Sequence, residues 1–523
     1  MSPLGSLRLV VSSLVLSILG LLGAGLWGAR AHAQEINATQ AALAMQQALV
    51  QVIAKGEKSV VAIARVKAGA GGEDLARGPE FNPFGPPRAA LLGPGTPGEP
   101  TNPDFVPTRF GTGVIVDKNG LILTNYHVID EDFLASENEV ASQTSGDIYV
   151  WAMSWKTDPP KPGVYRARVK AADPRSDLAI LQIRAEDLEP IKFAAMKDAE
   201  RELKKGQIVV SLGNPYAIAR DGSPSAAWGL VANVARKLGP QGEAGQMTKP
   251  TLQHCGLLIQ TDAKLNLGTS GGALLNLKGE MIGLTTSAAA MSGYEQAAGY
   301  ALPVDDTFRR VVETLMQGRE VEYGFLGVTP RNLSIEERQQ GLNGMVIAGV
   351  KEGTPAFGKL TSQDVVVAVN GKPIFDADGL VLNVGKLPVG EVVRLTLMGG
   401  KREVEVPLSK YPVRGRKIVT NPAPSWRGLR VDYPTAVESL IQNPPNRNQW
   451  RALLEGCVVV VDVSPDSPAA DARMQKWMLV THVDNVRVQT PAQFRDAVAN
   501  KKGTVQLRLG SDGEELIKAI EAQ

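Results

Sequence analysis

A serine framed by glycines, Gly268-Thr269-Ser270-Gly271-Gly272, is the strongest chemical feature of the chain. Flanking glycines let the backbone turn tightly and aim N–H groups at one point, as an oxyanion requires. Such a serine becomes a nucleophile only beside a base that is itself oriented by a third group. The search for the base is short, because the 523 residues hold four histidines: His32, His127, His254 and His482. His32 lies in the N-terminal leader, His254 precedes Cys255, and His482 lies far toward the C-terminus; the last two read as surface or packing residues. His127 follows Leu123-Thr124-Asn125-Tyr126 at the end of an expected strand, where a side chain can be presented to a cleft. Asp177 is the acid of choice, at the mouth of the apolar run Leu178-Ala179-Ile180-Leu181. Asp173, before Pro174, reads as a turn or capping aspartate. Asp130 is a weaker rival, and Asp262 stands too close to Ser270 to supply the third vertex.

Two nucleophile frameworks compete. Gly268-x-Ser270-x-Gly272 satisfies the nucleophile elbow of α/β-hydrolases, but that fold needs a helix after the serine and a histidine after both serine and acid. Here Ala273 to Glu280 reads as strand and turn, and the only downstream histidine is His482. The order His127, Asp177, Ser270 fits the chymotrypsin arrangement instead.

The elements that must position these residues read as short strands joined by turn chemistry. Residues 59–64 read as a strand after a helix over 41–53. Asn119-Gly120 is a two-residue hairpin signal between Val114-Ile115-Val116 and Leu121-Ile122-Leu123-Thr124. Further strands are expected over 178–183, 207–212, 228–234, 257–260 and 281–286, and a closing helix over 307–317. This pattern belongs to a β-barrel protein rather than an α/β one. Between 68 and 108 the chain is rich in Gly and Pro and reads as a long loop within the domain, because strands resume straight afterwards.

The N-terminus bounds the compartment. Arg8 precedes an apolar run from Leu9 to Trp27, and Ala31-His32-Ala33 offers a small-x-small cleavage site. Residues 1–33 are therefore expected to be a secretory signal peptide, or an anchor retained through residues 9–27, since the run approaches the ~18–20 residues that span a bilayer. Either way the rest is expected to be exported, to a periplasmic or extracellular space. Of 56 Lys+Arg against 54 Asp+Glu, Arg8 and Arg30 are the only charges in that leader, which leaves 54 against 54. That balance argues against a nucleic-acid partner. Cys255 and Cys457, the only cysteines, make neither a disulfide framework nor a zinc site on their own. No metal and no cofactor are expected.

The motifs as a set resemble the HtrA (Deg) family of exported trypsin-like serine proteases. The resemblance is carried by Gly111-Thr112-Gly113-Val114-Ile115-Val116, Leu123-Thr124-Asn125-Tyr126-His127-Val128, Asp173-Pro174-Arg175-Ser176-Asp177-Leu178-Ala179, Gly213-Asn214-Pro215, and Gln260-Thr261-Asp262-Ala263 through Gly272. It implies a mainly β fold: a chymotrypsin-like double β-barrel protease domain, here residues 34–318, followed by PDZ domains. It implies that His127 acts as general base and then acid, that Asp177 orients it, that Ser270 attacks, and that the N–H groups of Gly268 and Ser270 form the oxyanion hole. By the same resemblance Leu265, Leu284 and Thr285 belong to the substrate pocket, which favours small or medium aliphatic residues before the cut. A Lys264 turned into that pocket would favour an acidic residue instead; a surface lysine is the plainer reading. Leu267 and Thr269 depart from the family's Asn-Pro-Gly-Asn-Ser-Gly-Gly, and Arg220-Asp221-Gly222 replaces a more apolar stretch.

The C-terminal part repeats itself. Tyr323-Gly324-Phe325-Leu326-Gly327-Val328 and Gly353-Thr354-Pro355-Ala356 are followed by the weaker echoes Trp426-Arg427-Gly428-Leu429 and Asp466-Ser467-Pro468-Ala469. Both units resemble PDZ domains, the first over 319–412, the second and degenerate one over 425–523, with a linker at 413–424. Residues 434–454 read as an insertion in the second. Such domains add a peptide to a sheet edge and capture its terminal carboxylate on backbone N–H groups; in the first unit Gly324, Phe325, Leu326 and Gly327 would form that loop. The expected activity is an endopeptidase acting on misfolded or unassembled proteins, with peptide C-termini as PDZ partners. The alternative is a catalytically silent, protease-shaped chaperone or binding scaffold. The resemblance also implies a homotrimer or a multiple of it, with Phe81, Phe84, Phe105 and Phe110 as candidate contacts.

Overall fold

The computed structural model describes residues 38–66, 107, 109–130, 147–155, 157, 159–186, 188–214, 222–239, 251–286, 298–399, 402–442, 447–510 and 517–521. The leader, nearly all of the Gly/Pro-rich loop with Phe81, Phe84 and Phe105, and the pair Arg220-Asp221 lie outside the described residues. Among the described residues no helix is long and apolar enough to cross a membrane.

After the helix α1 (Ala38–Gly56) the protease region forms two closed barrels of six strands. In the first, β1 (Val60–Val66), β2 (Arg109–Asp117), β3 (Leu121–Asn125), β4 (Asp147–Ser154), β5 (Lys161–Asp173) and β6 (Leu178–Gln182) pair in the order β5-β4-β1-β2-β3-β6, and β5–β6 pairing closes the ring. The continuous apolar run at β1 follows from burial on both faces. Val61 and Ile63 enter the barrel core with Ile115, Ile122 and Val150, while Ala62 and Ala64 pack on Trp151. The β2–β3 hairpin differs from the two-residue expectation. Asp117 pairs with Leu121, leaving a three-residue loop with Gly120 in the left-handed region at φ 95° and a register shift before Asp117. An Asp117 side chain that accepts from Asn119 N–H at 2.7 Å favours this longer form.

The second barrel joins β7 (Ile208–Gly213), β8 (Ser225–Arg236), β9 (Leu258–Thr261), β10 (Ala273–Leu275), β11 (Met281–Thr286) and β12 (Gly299–Pro303) in the order β10-β11-β12-β9-β8-β7. Helix α3 (Asp306–Met316) closes the region. Asp305 caps it by accepting from Phe308 N–H, and Phe308, Val311, Val312 and Leu315 are buried at the spacing of one helical face.

Two further units share one topology. In the first, β14 (Val328–Asn332), β15 (Met345–Val350), β16 (Val365–Val369), β18 (Val392–Leu397) and β19 (Glu403–Pro407) form the sheet, with β17 (Lys372–Pro373) beside β16 and helix α4 (Ala377–Gly385). A separate ribbon, β13 (Gly324–Phe325) with β20 (Ser409–Lys410), closes its base. In the second, β22 (Leu429–Asp432), β23 (Val458–Val463), β24 (Leu479–Val483), β26 (Val505–Leu509) and β27 (Ile517–Ile520) repeat that order, with β25 (Val486–Arg487) beside β24 and helix α5 (Pro491–Val498). The segment read as an insertion folds as short helices whose Val437, Leu440, Ala452 and Leu453 build a small core with Cys457, Val459 and Leu479.

The segment expected to be a plain linker is structured. Its strand β21 (Ile418–Val419) pairs with Ala171 and Ala172 of β5, Arg416 O accepts from Tyr126 Oη at 2.8 Å, and Thr420 Oγ1 donates to Lys170 O at 2.7 Å. Lys410, almost wholly buried, lies 2.6 Å from Asp432, 3.1 Å from Glu320 and 3.2 Å from Glu322. Burial alone would lower its pKa, but the three carboxylates outweigh that and raise it well above the ordinary lysine value.

Candidate active site

Strand β3 ends at Asn125 and runs into a single helical turn, α2 (Tyr126–Ile129), so His127 stands one residue past the strand rather than on it. The turn Asp173–Asp177 delivers the acid from the β5–β6 corner. Asp177 adopts φ 58°, and its carbonyl accepts from Tyr126 N–H at 3.0 Å, which fastens the two segments together. The Asp177 carboxylate is buried. Its Oδ1 accepts from His127 N–H at 3.0 Å, and both oxygens lie within 3.0 Å of His127 Nδ1. His127 Nε2 lies 3.0 Å from Ser270 Oγ. A carboxylate can only accept, so Nδ1 carries the ring proton and Nε2 is left to accept from the serine hydroxyl. The three residues named from the sequence thus meet in one hydrogen-bonded chain, from three separate segments and both barrels.

Asp173 does what a turn aspartate does: its Oδ2 accepts from Ser176 N–H at 2.8 Å and Ser176 Oγ at 2.6 Å. It also accepts from Tyr323 Oη at 2.5 Å. Burial raises the pKa of the Asp173 carboxyl; burial and the facing Asp173 raise that of the Tyr323 hydroxyl. Asp262 instead accepts from Leu230 N–H at 2.6 Å, a strand-end contact. His254 caps a 3-10 turn with Thr251, and Asp130 accepts from Tyr126 Oη at 3.1 Å.

The serine loop is held from several sides. Gly271 N–H donates to Thr285 O, Thr285 N–H to Gly272 O, and Gly272 N–H to Thr269 O, each at 2.9–3.0 Å. Gly271 sits at φ 85°, and a Cβ there would come within 2.0 Å of Thr112 O, so only glycine fits. Thr285 Oγ1 donates to Thr269 O at 2.5 Å, and both Leu284 and Thr285 are fully buried. The Thr285 side chain therefore braces the serine loop. Leu265 is half-buried, against Gly299 of β12, and Lys264 is exposed. Leu267 points outward, 43% exposed, while Thr269 turns inward and donates to Asn266 O at 2.7 Å. The ring of Phe110 lies against Gly268.

Sequence reading passed over the role of Thr112. Its N–H donates to Ser270 O at 2.8 Å, its Oγ1 donates to Gly268 O at 2.7 Å, and that same Oγ1 accepts from Asn214 N–H at 2.9 Å. One threonine on the first barrel thereby ties down the serine loop of the second. Its placement between two glycines was the available signal. Two amides also reach the acid: Asn125 Nδ2 donates to Asp177 O at 3.1 Å and to Oδ2 at 3.3 Å, and Gln253 Nε2 donates to Oδ2 at 3.0 Å.

A two-barrel fold with this hydrogen-bonded chain at their junction defines a serine endopeptidase. The sequence comparisons agree. Residues 111–284 match the trypsin-like peptidase domain and residues 324–409 the PDZ domain. Relatives described as probable periplasmic serine endoprotease DegP-like include one from Chlamydia trachomatis, 28% identical over 77% of this chain and 72% of its own length. Another, from Pseudomonas fluorescens, is 29% identical over 74% and 73%. A third, from Brucella melitensis, is 27% identical over 96% and 94%, which takes in the C-terminal unit as well. These domain matches and relatives support the HtrA (Deg) family of serine endopeptidases with PDZ domains.

Proposed function

We propose that this protein is an exported, periplasmic endopeptidase that cuts misfolded or unassembled proteins through His127, Asp177 and Ser270. The approach of His127 Nε2 to Ser270 Oγ at 3.0 Å, with Nδ1 bound to a buried carboxylate, carries the reading. As Ser270 Oγ attacks the peptide carbonyl, Nε2 takes its proton. Asp177 stabilises the imidazolium that forms, and His127 then returns the proton to the leaving amine. The N–H groups of Gly268 and Ser270 receive the oxyanion, at about 2.7–4 kcal/mol of transition-state stabilisation per donor. Leu265 walls the pocket for a small or medium aliphatic residue before the cut. The Gly324-Phe325-Leu326-Gly327 loop takes a peptide C-terminus at the first PDZ unit. Export rests on the apolar leader and on relatives described as periplasmic; the family resemblance implies a homotrimer or a multiple of it, which light scattering on the purified protein checks.

The test is fluorophosphonate labelling with dye-labelled casein turnover. Wild type should label at Ser270 and degrade casein. Ser270→Ala should do neither, and His127→Ala should lose turnover by about 10⁴-fold or more. An absence of labelling in wild type, with or without added peptide, would instead identify a protease-shaped binding scaffold.

A further inference from the structure

We propose that Gln253 is a positioning residue for the protease reaction: it holds the Asp177 carboxylate in register with the His127 imidazole. This rests on the triad assignment above. The two carboxylate oxygens are supported unequally. Oδ1 receives His127 N–H as well as a share of Nδ1, so the backbone itself fixes it. Oδ2 has no backbone donor among its described contacts and depends on side-chain amides. Of the two that reach it, Asn125 is the longer at 3.3 Å and divides its donor group with Asp177 O. Gln253 donates at 3.0 Å and is 1% exposed.

The neighbourhood selects an amide for its polarity rather than its bulk. Gln253 Oε1 is buried with no protein hydrogen-bond partner among the described residues, a penalty that methionine of similar volume would not incur. What the amide supplies in return is a neutral donor to an anion. Its backbone moves with the acid it holds. Leu252 N–H donates to Arg175 O at 3.1 Å, inside the turn that carries Asp177, and Gln253 O accepts from Leu238 N–H at 3.2 Å. The Thr251–His254 capping box rigidifies the turn between them. Without this donor Oδ2 keeps only the longer Asn125 bond beside Nδ1, and the imidazole is held less firmly in its tautomer and its aim at Ser270.

The test compares full-length wild type, Gln253→Met and Gln253→Glu by fluorophosphonate labelling rate and by kcat and KM on dye-labelled casein, with thermal unfolding as the check on folding. Gln253→Met should lower the labelling rate and kcat by about 10- to 100-fold, with KM within about twofold and the pH profile unchanged in shape. Gln253→Glu should donate like the amide when protonated and repel Asp177 when ionised. Its deficit relative to wild type should therefore widen from about pH 6 to about pH 9. The other titratable groups around this point are His127, Asp177, and His254 on the same turn, with Asp173, Arg175 and Tyr323 behind. All are common to the three proteins, so a changed slope belongs to position 253. Gln253→Met labelling at the wild-type rate overturns the proposal. So does an equal deficit of both variants at every pH, which would make Gln253 a packing residue only. A wild type that does not label brings down the triad assignment itself, and this proposal with it.

Discussion

The two PDZ-like units have the same strand order yet opposite relations to their own loops. Corresponding bonds align them: Ala356 N–H donates to Leu326 O where Ala469 donates to Arg427 O, and Lys351 N–H donates to Gly327 O where Ser464 donates to Gly428 O. Leu326 is thus matched by Arg427 and Val328 by Leu429. In the second unit Leu429 N–H donates to Trp426 O and Trp426 N–H to Leu429 O, at 2.8 and 2.9 Å, so the two ends of the loop bond each other. Arg427 then locks it. Its guanidinium reaches the carbonyls of Ile520, Lys501 and Gly503 and stands 4.7 Å from the Trp426 ring. In the first unit the matching side chain is the buried, apolar Leu326, which can make no such lock. The first unit is also wired to the protease. Arg175, within the turn that presents Asp177, stacks 3.6 Å from the Tyr411 ring, and Tyr323 bonds Asp173 of the same turn. The lesson is that one fold can leave this loop unlocked or close it from within, according to which side chain the loop carries.

The largest test of that comparison removes the ion that joins the two units. Lys410→Met leaves Asp432 partly buried without its cation and Glu320 with Lys417 alone, and should cost about 3–5 kcal/mol in urea unfolding. A loss of under about 1 kcal/mol would mean that the units are not coupled through this cluster. Next come the loop glycines. Gly327 and Gly428 sit at φ 85° and 81°, and a Cβ on either would come within 2.0–2.2 Å of Thr354 or Ser467. Alanine at each should destabilise by about 1–3 kcal/mol. Only Gly327→Ala should lose binding of a fluorescent peptide with a free C-terminus, measured by anisotropy; equal losses would break the contrast.

A smaller effect follows from pH. Burial would raise the pKa of Glu320, but Lys410 and Lys417 outweigh it and hold the carboxyl below its ordinary value. A carboxylate so lowered contributes stability that is present above its unfolded value, about 4.3, and lost as pH falls through the folded one. Lys410, raised, contributes stability that is present below its unfolded value, about 10.4, and lost as pH rises through the folded one. The junction should therefore be at full strength between about pH 5 and 10. Lys410→Met should show a flatter acid limb in thermal unfolding. The smallest effect concerns Cys457, whose thiol burial pushes up to about 12. It should resist iodoacetamide at neutral pH in the folded protein and react once urea opens the second unit.

The three residues of the hydrogen-bonded chain were legible because each carries a local signature. Ser270 is ringed by glycines that a left-handed turn needs. His127 follows an apolar strand, and Asp177 precedes one. Apolar runs and turn chemistry likewise marked eight of the twelve barrel strands; β4, β5 and β12 carried no such expectation, and β10 was read only as strand and turn. The hairpin at Asn119-Gly120 was read one residue short, because the Asp117 side chain, not the dipeptide alone, set the loop length.

The sequence by itself determined the order of His127, Asp177 and Ser270, the glycine framework and most of the strands that present them. The tertiary structure decided what steadies them: Thr112 across the barrel junction, Gln253 on the acid, Arg175 between the tyrosines, and residues 418–419 as an added strand. These are single polar residues or short segments far apart in the chain. Their partners are chosen by burial, which leaves a polar group to bond whatever donor or acceptor the fold brings within reach. That choice leaves no periodicity and no spacing to read.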